Sequence, residues 1–261
     1  MRRATVRWWG AAAIGLCMVA ADGCRKSAPP VERESAKPAT RSLNALDPAT
    51  LGLISGQVKF AGTAPAPVRI DPSSDPACGS GERFSEDYVV HEGMLVNVYV
   101  YVKSGPAEAM AQGASWMAPA VLDVKGCSFV PHVVAVTVGQ RIEFRNEDGA
   151  MHNVHATPSA VGNAGIDISM VPKAAGQTRM FRKPEVMMPV RCGRHPWMGA
   201  YLNISPTPFF AVTNGDGKFE LKGLPPSEYT LGFVHEKMGE RTVKVTVKPQ
   251  ATAAAEITYS L

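Results

Sequence analysis

"HVVAVTVGQRIEFRNEDGAMHNVHATP", residues 132–158, decides the fold class. It is rich in β-branched residues, and Arg141-Ile142-Glu143-Phe144 alternates polar and apolar side chains with a period of two. Residues 132–148 therefore read as two strands about a turn at Gly139-Gln140. A short loop follows, and His152 opens a further strand. Outward from this stretch the pattern continues. Strands are expected at 53–62, 95–105, 177–183, 187–192, 200–205, 241–247 and 253–261. Residues 209–236 add a hairpin signal at Asn214-Gly215-Asp216-Gly217 and a break at Pro225-Pro226. Only "PAEAMAQGASWM" (106–117) looks helical, and Gly113 weakens it. Many short strands with turns between them predict an all-β chain of sandwich architecture.

The 261 residues suffice for one large β domain or two small ones. Eight of the 27 Lys/Arg and four of the 23 Asp/Glu fall in residues 1–50, which leaves 19 of each sign beyond. A neutral remainder has no electrostatic footprint for nucleic acid. The basic start has another meaning. Arg2, Arg3 and Arg7 precede the uncharged run "GAAAIGLCMVAA" (10–21), and "ADGC" follows. Residues 1–24 read as an export signal. The last four resemble a bacterial lipobox, with Ala21 where Leu is usual, so Cys24 is the expected lipidation site and the only membrane contact. Localisation on the periplasmic or cell-surface side follows. Residues 25–50, rich in Pro, Ala, Ser and charge, read as a disordered tether.

Outside the signal, Cys78, Cys127 and Cys192 remain. In an oxidising compartment two should pair. Cys78 and Cys127 are the better couple, because Cys192 stands among potential metal ligands. In "RCGRHPWMGAY" (191–201) Cys192, His195 and Met198 are spaced by three. A type 1 copper site needs one thiolate, two imidazoles and a weak axial thioether. The second imidazole must come from His152 or His155. Odd spacing along a strand puts the two on opposite faces, so they do not bind one ion together.

The pattern F-R-N-x-D-x-x-M-H-N-V-H, followed forty residues later by C-x-x-H-P-W-M, resembles the cupredoxins of the amicyanin and plastocyanin type over roughly residues 121–205. The resemblance implies a Greek-key β-sandwich at 106–207 holding one type 1 copper on His152, Cys192, His195 and Met198. His155 matches a position that is not a ligand. Asn153 matches the residue that braces the cysteine loop. The position after the thiolate, usually Ser or Thr in that family, is Gly193, which leaves Asn153 only backbone to bond there. The resemblance also places His195 near the surface, as the edge through which an electron passes.

Residues 208–261 resemble the carboxypeptidase regulatory-like, transthyretin-like β-sandwich, with Ser227 where that family has Gly. Its first strands are sought at 53–60 and 95–102, so 51–105 and 208–261 are expected to form one discontinuous sandwich with the copper domain inserted.

The expected function is an exported, mononuclear, one-electron copper carrier without catalytic activity. Its redox protein partner is unspecified, and a neutral surface points to brief apolar docking. Copper binding and delivery, or a non-catalytic interaction module, are the alternatives. A copper enzyme would need further clustered histidines, whereas His91, His132 and His235 are scattered and read as structural or surface residues. Met151, Met170, Met180, Met187 and Met188 read as packing near the site.

Overall fold

The structure is a computed structural model that describes residues 46–113 and 117–261. The export signal, Cys24 and residues 25–45 of the expected tether lie outside the described residues. The last stretch of that tether, 46–50, is a turn instead. Asp47 O accepts from Thr50 N at 3.0 Å, Asp47 Oδ1 accepts from Ala49 N at 3.0 Å, and Leu46 packs on a hydrophobic core. Asp-Pro at 47–48 is good turn chemistry, and it outweighs the polar composition.

Strands dominate the described chain, as the period-two patterns predict. They form two sandwiches, each closed around its own core. In the first, Gly52–Phe60 runs antiparallel to Lys218–Leu224 and parallel to Thr252–Tyr259. The facing sheet orders Phe210–Val212, Tyr99–Ser104, Ser227–His235 and Gly239–Val247. Ile54, Val58, Leu221 and Tyr259 from one sheet meet Val100, Leu231, Phe233 and Val245 from the other. Strands from both ends of the described residues build this body, and residues 120–205 form the second one between them.

That second sandwich has a sheet of Gln177–Met180, Arg141–Asn146, Ala120–Val124 and Phe129–Val130. Facing it is a sheet of Ile166–Met170, His152–Ala156, Glu185–Arg191, Gly199–Ser205 and Val133–Thr137. Leu122, Ile142 and Phe144 interdigitate with Val136, Val154, Val190 and Leu202. Tyr99, Tyr101, Val133 and Val234 form a smaller cluster that joins the two bodies.

Three expectations are corrected. The turn at 214–217 does not join a hairpin. Asn214 Oδ1 accepts from Asp216 N at 3.0 Å and Lys218 N at 2.9 Å, but the strands on either side pair in different sheets. Residues 95–105 are not one strand. Met94–Leu95 lies in one sheet and Tyr99–Ser104 in the other, and the chain changes sheet at Asn97, whose φ is 63°. Asn tolerates that left-handed conformation better than the valines around it. Within 106–117 the described helix is a single turn, Ala107–Met110, with no side-chain cap.

The Gly139-Gln140 turn is likewise a corner between the two sheets of the second sandwich. Gln140 Oε1 accepts from Thr137 N at 2.9 Å, and its Nε2 donates to Ala118 O at 2.8 Å. Such corners bring the loops after Val124, Asn146 and Arg191 to one end of that sandwich. There the segment after Ile70 reaches across them through the Cys78–Cys127 disulfide.

Candidate metal centre

Asn146 ends its strand with a buried side chain. Its Nδ2 donates to Ala150 O and Met170 O, both at 2.9 Å, and its Oδ1 accepts from Asp148 N at 3.0 Å. The loop is thus tied down on both sides before His152 enters the next strand opposite Met170. Strand alternation then sorts the histidines. His152 points inward, whereas His155 is exposed beside Asp167.

The 192–198 loop closes on itself. Cys192 N donates to Met198 O at 3.4 Å, and Met198 N donates to His195 O at 2.9 Å. His152 is 0% exposed, Cys192 4%, His195 2% and Met198 2%. One ligand atom each from His152, Cys192 and His195 lie within 4.8 Å of one another. Cys192 Sγ is 3.6 Å from His195 Nδ1 and accepts from Asn153 N at 3.4 Å. Cys192 is a free thiol. Met198 ends the loop, and its side chain belongs to the buried core cluster that also holds Cys192. Asn153 Oδ1 accepts from Gly193 N at 3.2 Å, so the brace binds backbone, as the glycine predicts.

One atom tests whether this set fits an ion. His152 Nδ1 is buried and has no hydrogen-bond partner. A buried polar atom left unpaired costs about 1–3 kcal/mol, unless something occupies it. Burial pushes His152 below the ordinary imidazole value, and the neighbouring His195 adds to this against the pull of Asp148. A neutral ring keeps a lone pair for a metal. Thiolate, two imidazoles and a thioether on one loop-and-strand set suit copper rather than zinc, which takes no thioether.

The expected surface edge of His195 is not there. Its Nε2 donates to Asp75 Oδ2 at 2.9 Å and touches Cys78 Sγ at 3.7 Å. Asp75 also caps the short turn Pro76–Cys78 through Ala77 N at 3.0 Å. The hydrogen bond from His195, helped by Ala77 N, holds the Asp75 carboxyl below its usual range. Arg83 fastens this segment, donating to Gly126 O at 2.7 Å and Cys78 O at 2.5 Å. Trp197 lies against His195 with ring centroids 5.0 Å apart, and its Nε1 donates to Cys127 O at 3.2 Å. The imidazole is therefore sealed by a segment belonging to neither ligand motif.

Sequence reasoning missed Asp75 and Asp148. Asp148 was within reach, because it is the aspartate of the F-R-N-x-D pattern, four residues before His152. Asp75 gives no local signal, because its partner is 120 residues away. The other histidines fall outside the centre. His91 is exposed, His132 pairs with Glu236 at 2.8 Å, and His235 is buried between Tyr88 and Tyr259. The methionines divide: Met170 and Met188 are core, while Met151 and Met180 are exposed.

No protein family and no curated protein matches the chain. Among solved structures it is similar to a Cu-containing nitrite reductase from Thermus scotoductus SA-01, at 24% identity and TM-score 0.30, over 40% of this chain and 27% of that one. It is also similar to a mutant of amicyanin in the Cu(I) form, at 18% identity and TM-score 0.30, over 40% of this chain and 97% of that one. The amicyanin from Paracoccus versutus gives 16% identity and TM-score 0.29, over 40% and 96%. The chain spans about a quarter of the nitrite reductase's length. Likenesses this slight carry no argument about what the chain does.

Proposed function

We propose that this chain is an exported, mononuclear type 1 copper protein that carries single electrons, with His152, Cys192, His195 and Met198 as ligands. The observation that carries the reading is the unpaired, buried Nδ1 of His152, whose ring shares a cluster of potential ligand atoms with Cys192 and His195. Bound copper would supply a one-electron Cu(II)/Cu(I) couple, strongly mixed with the thiolate.

The protein's part is to hold the ligands still and dry. Asn153 fixes the thiolate through its own N–H and fixes the next residue through its side chain. The sandwich core and the disulfide-bound segment exclude water from both rings. A carrier gains from such a closed site, whereas catalytic metal sites keep an open coordination position. Because Asp75 covers the His195 edge, exchange in this reading runs beside the thiolate, past the exposed Gly193, Arg194 and Pro196. The Cys78–Cys127 disulfide accords with export to an oxidising compartment. The basic, then apolar, N-terminal sequence ending at Cys24 supports anchoring by a lipid.

The test is the visible spectrum of the chain after Cu(II) addition, beside Cys192→Ser. An intense band near ~600 nm, from thiolate-to-copper charge transfer, should appear in the parent and vanish in the variant. A parent that binds copper only as Cu(I), or not at all, overturns the carrier reading.

A further inference from the structure

We propose that Asp75 and Asp148 are the positioning residues of this centre, one carboxylate behind each imidazole, delivered together by the Cys78–Cys127 disulfide. The inference rests on the metal-binding reading above. Asp148 Oδ2 lies 3.1 Å from His152 Nε2, and Asp75 Oδ2 lies 2.9 Å from His195 Nε2. A carboxylate only accepts, so in each neutral ring the single proton is held on Nε2. Nδ1 is left as the lone-pair donor on both sides. In His152 that atom is unpaired, and in His195 it faces Cys192 Sγ.

The two carboxylates come from loops remote in sequence that one covalent link unites. Asp148 accepts from Gly126 N at 2.6 Å with Oδ1 and from Cys127 N at 2.7 Å with Oδ2. Asp75 caps the turn that ends at Cys78. The bridging sulfurs lie against the rings: Cys78 Sγ is 3.7 Å from His195 Nε2, and Cys127 Sγ is 3.9 Å from His152 Nε2. The disulfide and its two aspartates form one backing plate for the ligand pair.

Two anions just behind the ligands make the imidazoles more basic and stabilise the more highly charged ion. The oxidised state is favoured, so the reduction potential is held down. Asp→Asn keeps an acceptor oxygen and removes the charge, whereas Asp→Ala removes both.

The experiment uses the full chain with Asp75→Asn, Asp148→Asn and Asp75→Ala. In the copper-loaded form, each Asn variant should keep the ~600 nm band while the Cu(II) to Cu(I) affinity ratio falls about tenfold, a potential higher by about 59 mV. In the metal-free chain, ¹⁵N NMR of the imidazoles should show Nε2–H in both rings of the parent. His195 should become a mixture of tautomers in Asp75→Ala. Unchanged potentials, or unchanged tautomers in Asp75→Ala, overturn the proposal. A parent lacking the charge-transfer band sinks the carrier reading instead, and the metal-free NMR still decides the roles of the aspartates.

Discussion

His152 and His155 stand three residues apart on one strand and face opposite ways. His152 is enclosed with its Nδ1 unpaired, and His155 lies in solvent beside Asp167. Only one of them can serve the ion that Cys192 and His195 would bind. His152→Ala should therefore lower copper affinity by more than the roughly 10–100-fold that loss of an outer partner costs. His155→Ala should leave affinity and spectrum unchanged. Competition titration against a chelator reads both, and equal losses in the two variants would contradict the assignment.

Gly193 shows how the loop is braced without the side chain that its position usually carries in the resembling family. Its N–H meets Asn153 Oδ1 at 3.2 Å, and a Cβ built on it would lie 3.4 Å from the same oxygen. That is tight, yet a small rotation of an amide on a partly exposed residue relieves it. Gly193→Ser should change stability by no more than about 0.5 kcal/mol. Asn153→Ala should cost about 1–2 kcal/mol, since it strips hydrogen bonds to Gly193, Asp167 and Ile168 together. Urea denaturation of the metal-free chain measures both, and a Ser variant that loses as much as Asn153→Ala would refute the bracing role of the amide.

Much of this was legible in the sequence, for physical reasons that particular residues make plain. Alternation through Arg141–Asn146 announces a strand, and His152 with Cys192-x-x-His195-x-x-Met198 marks a candidate ligand set, because each is a local pattern. Alternation says nothing of which sheet a strand joins. The corners at Asn97, Gly139 and Asn214 therefore looked like strand interior, turn and hairpin alike. Asp75 was out of reach for a related reason. Its meaning depends on a disulfide that carries it to His195, and no nearby residue records that.

The disulfide should contribute strongly to stability. Cys78 and Cys127 are separated by 49 residues. Closing a loop of that length restricts the unfolded chain by about 4 kcal/mol in the chain-entropy picture. The pair Cys78→Ala with Cys127→Ala should lose most of that. A dithiol reductant added to the parent should lower its denaturation midpoint similarly. If the reduced parent unfolds at the midpoint of the oxidised one, the bridge does not restrict the unfolded chain.

Two histidines outside the ligand set supply a pH dependence with two limbs. Burial lowers the His132 pKa, but the hydrogen bond and charge of Glu236, with Glu86 beyond, outweigh it and leave the value raised. A raised histidine stabilises fully below its unfolded pKa near 6.5, and that stability is lost as pH rises through the folded value. His235, one residue before Glu236, is the opposite case. Burial against Tyr88 and Tyr259 lowers it to about 4, with His132 and Lys237 adding to the shift and Glu236 and Asp87 opposing it. Its neutral form is the one that folds, so stability present above pH ~6.5 declines as pH falls toward the folded value. The full difference is on the order of 3 kcal/mol. Denaturation of the metal-free chain from pH 4 to 9 should show both limbs. His132→Gln should flatten the alkaline one and also soften the acid one, because it removes a charge that lowers His235, whereas His235→Gln should flatten only the acid one. Stability differences between parent and variants that stay constant across that range would show that neither histidine titrates with folding.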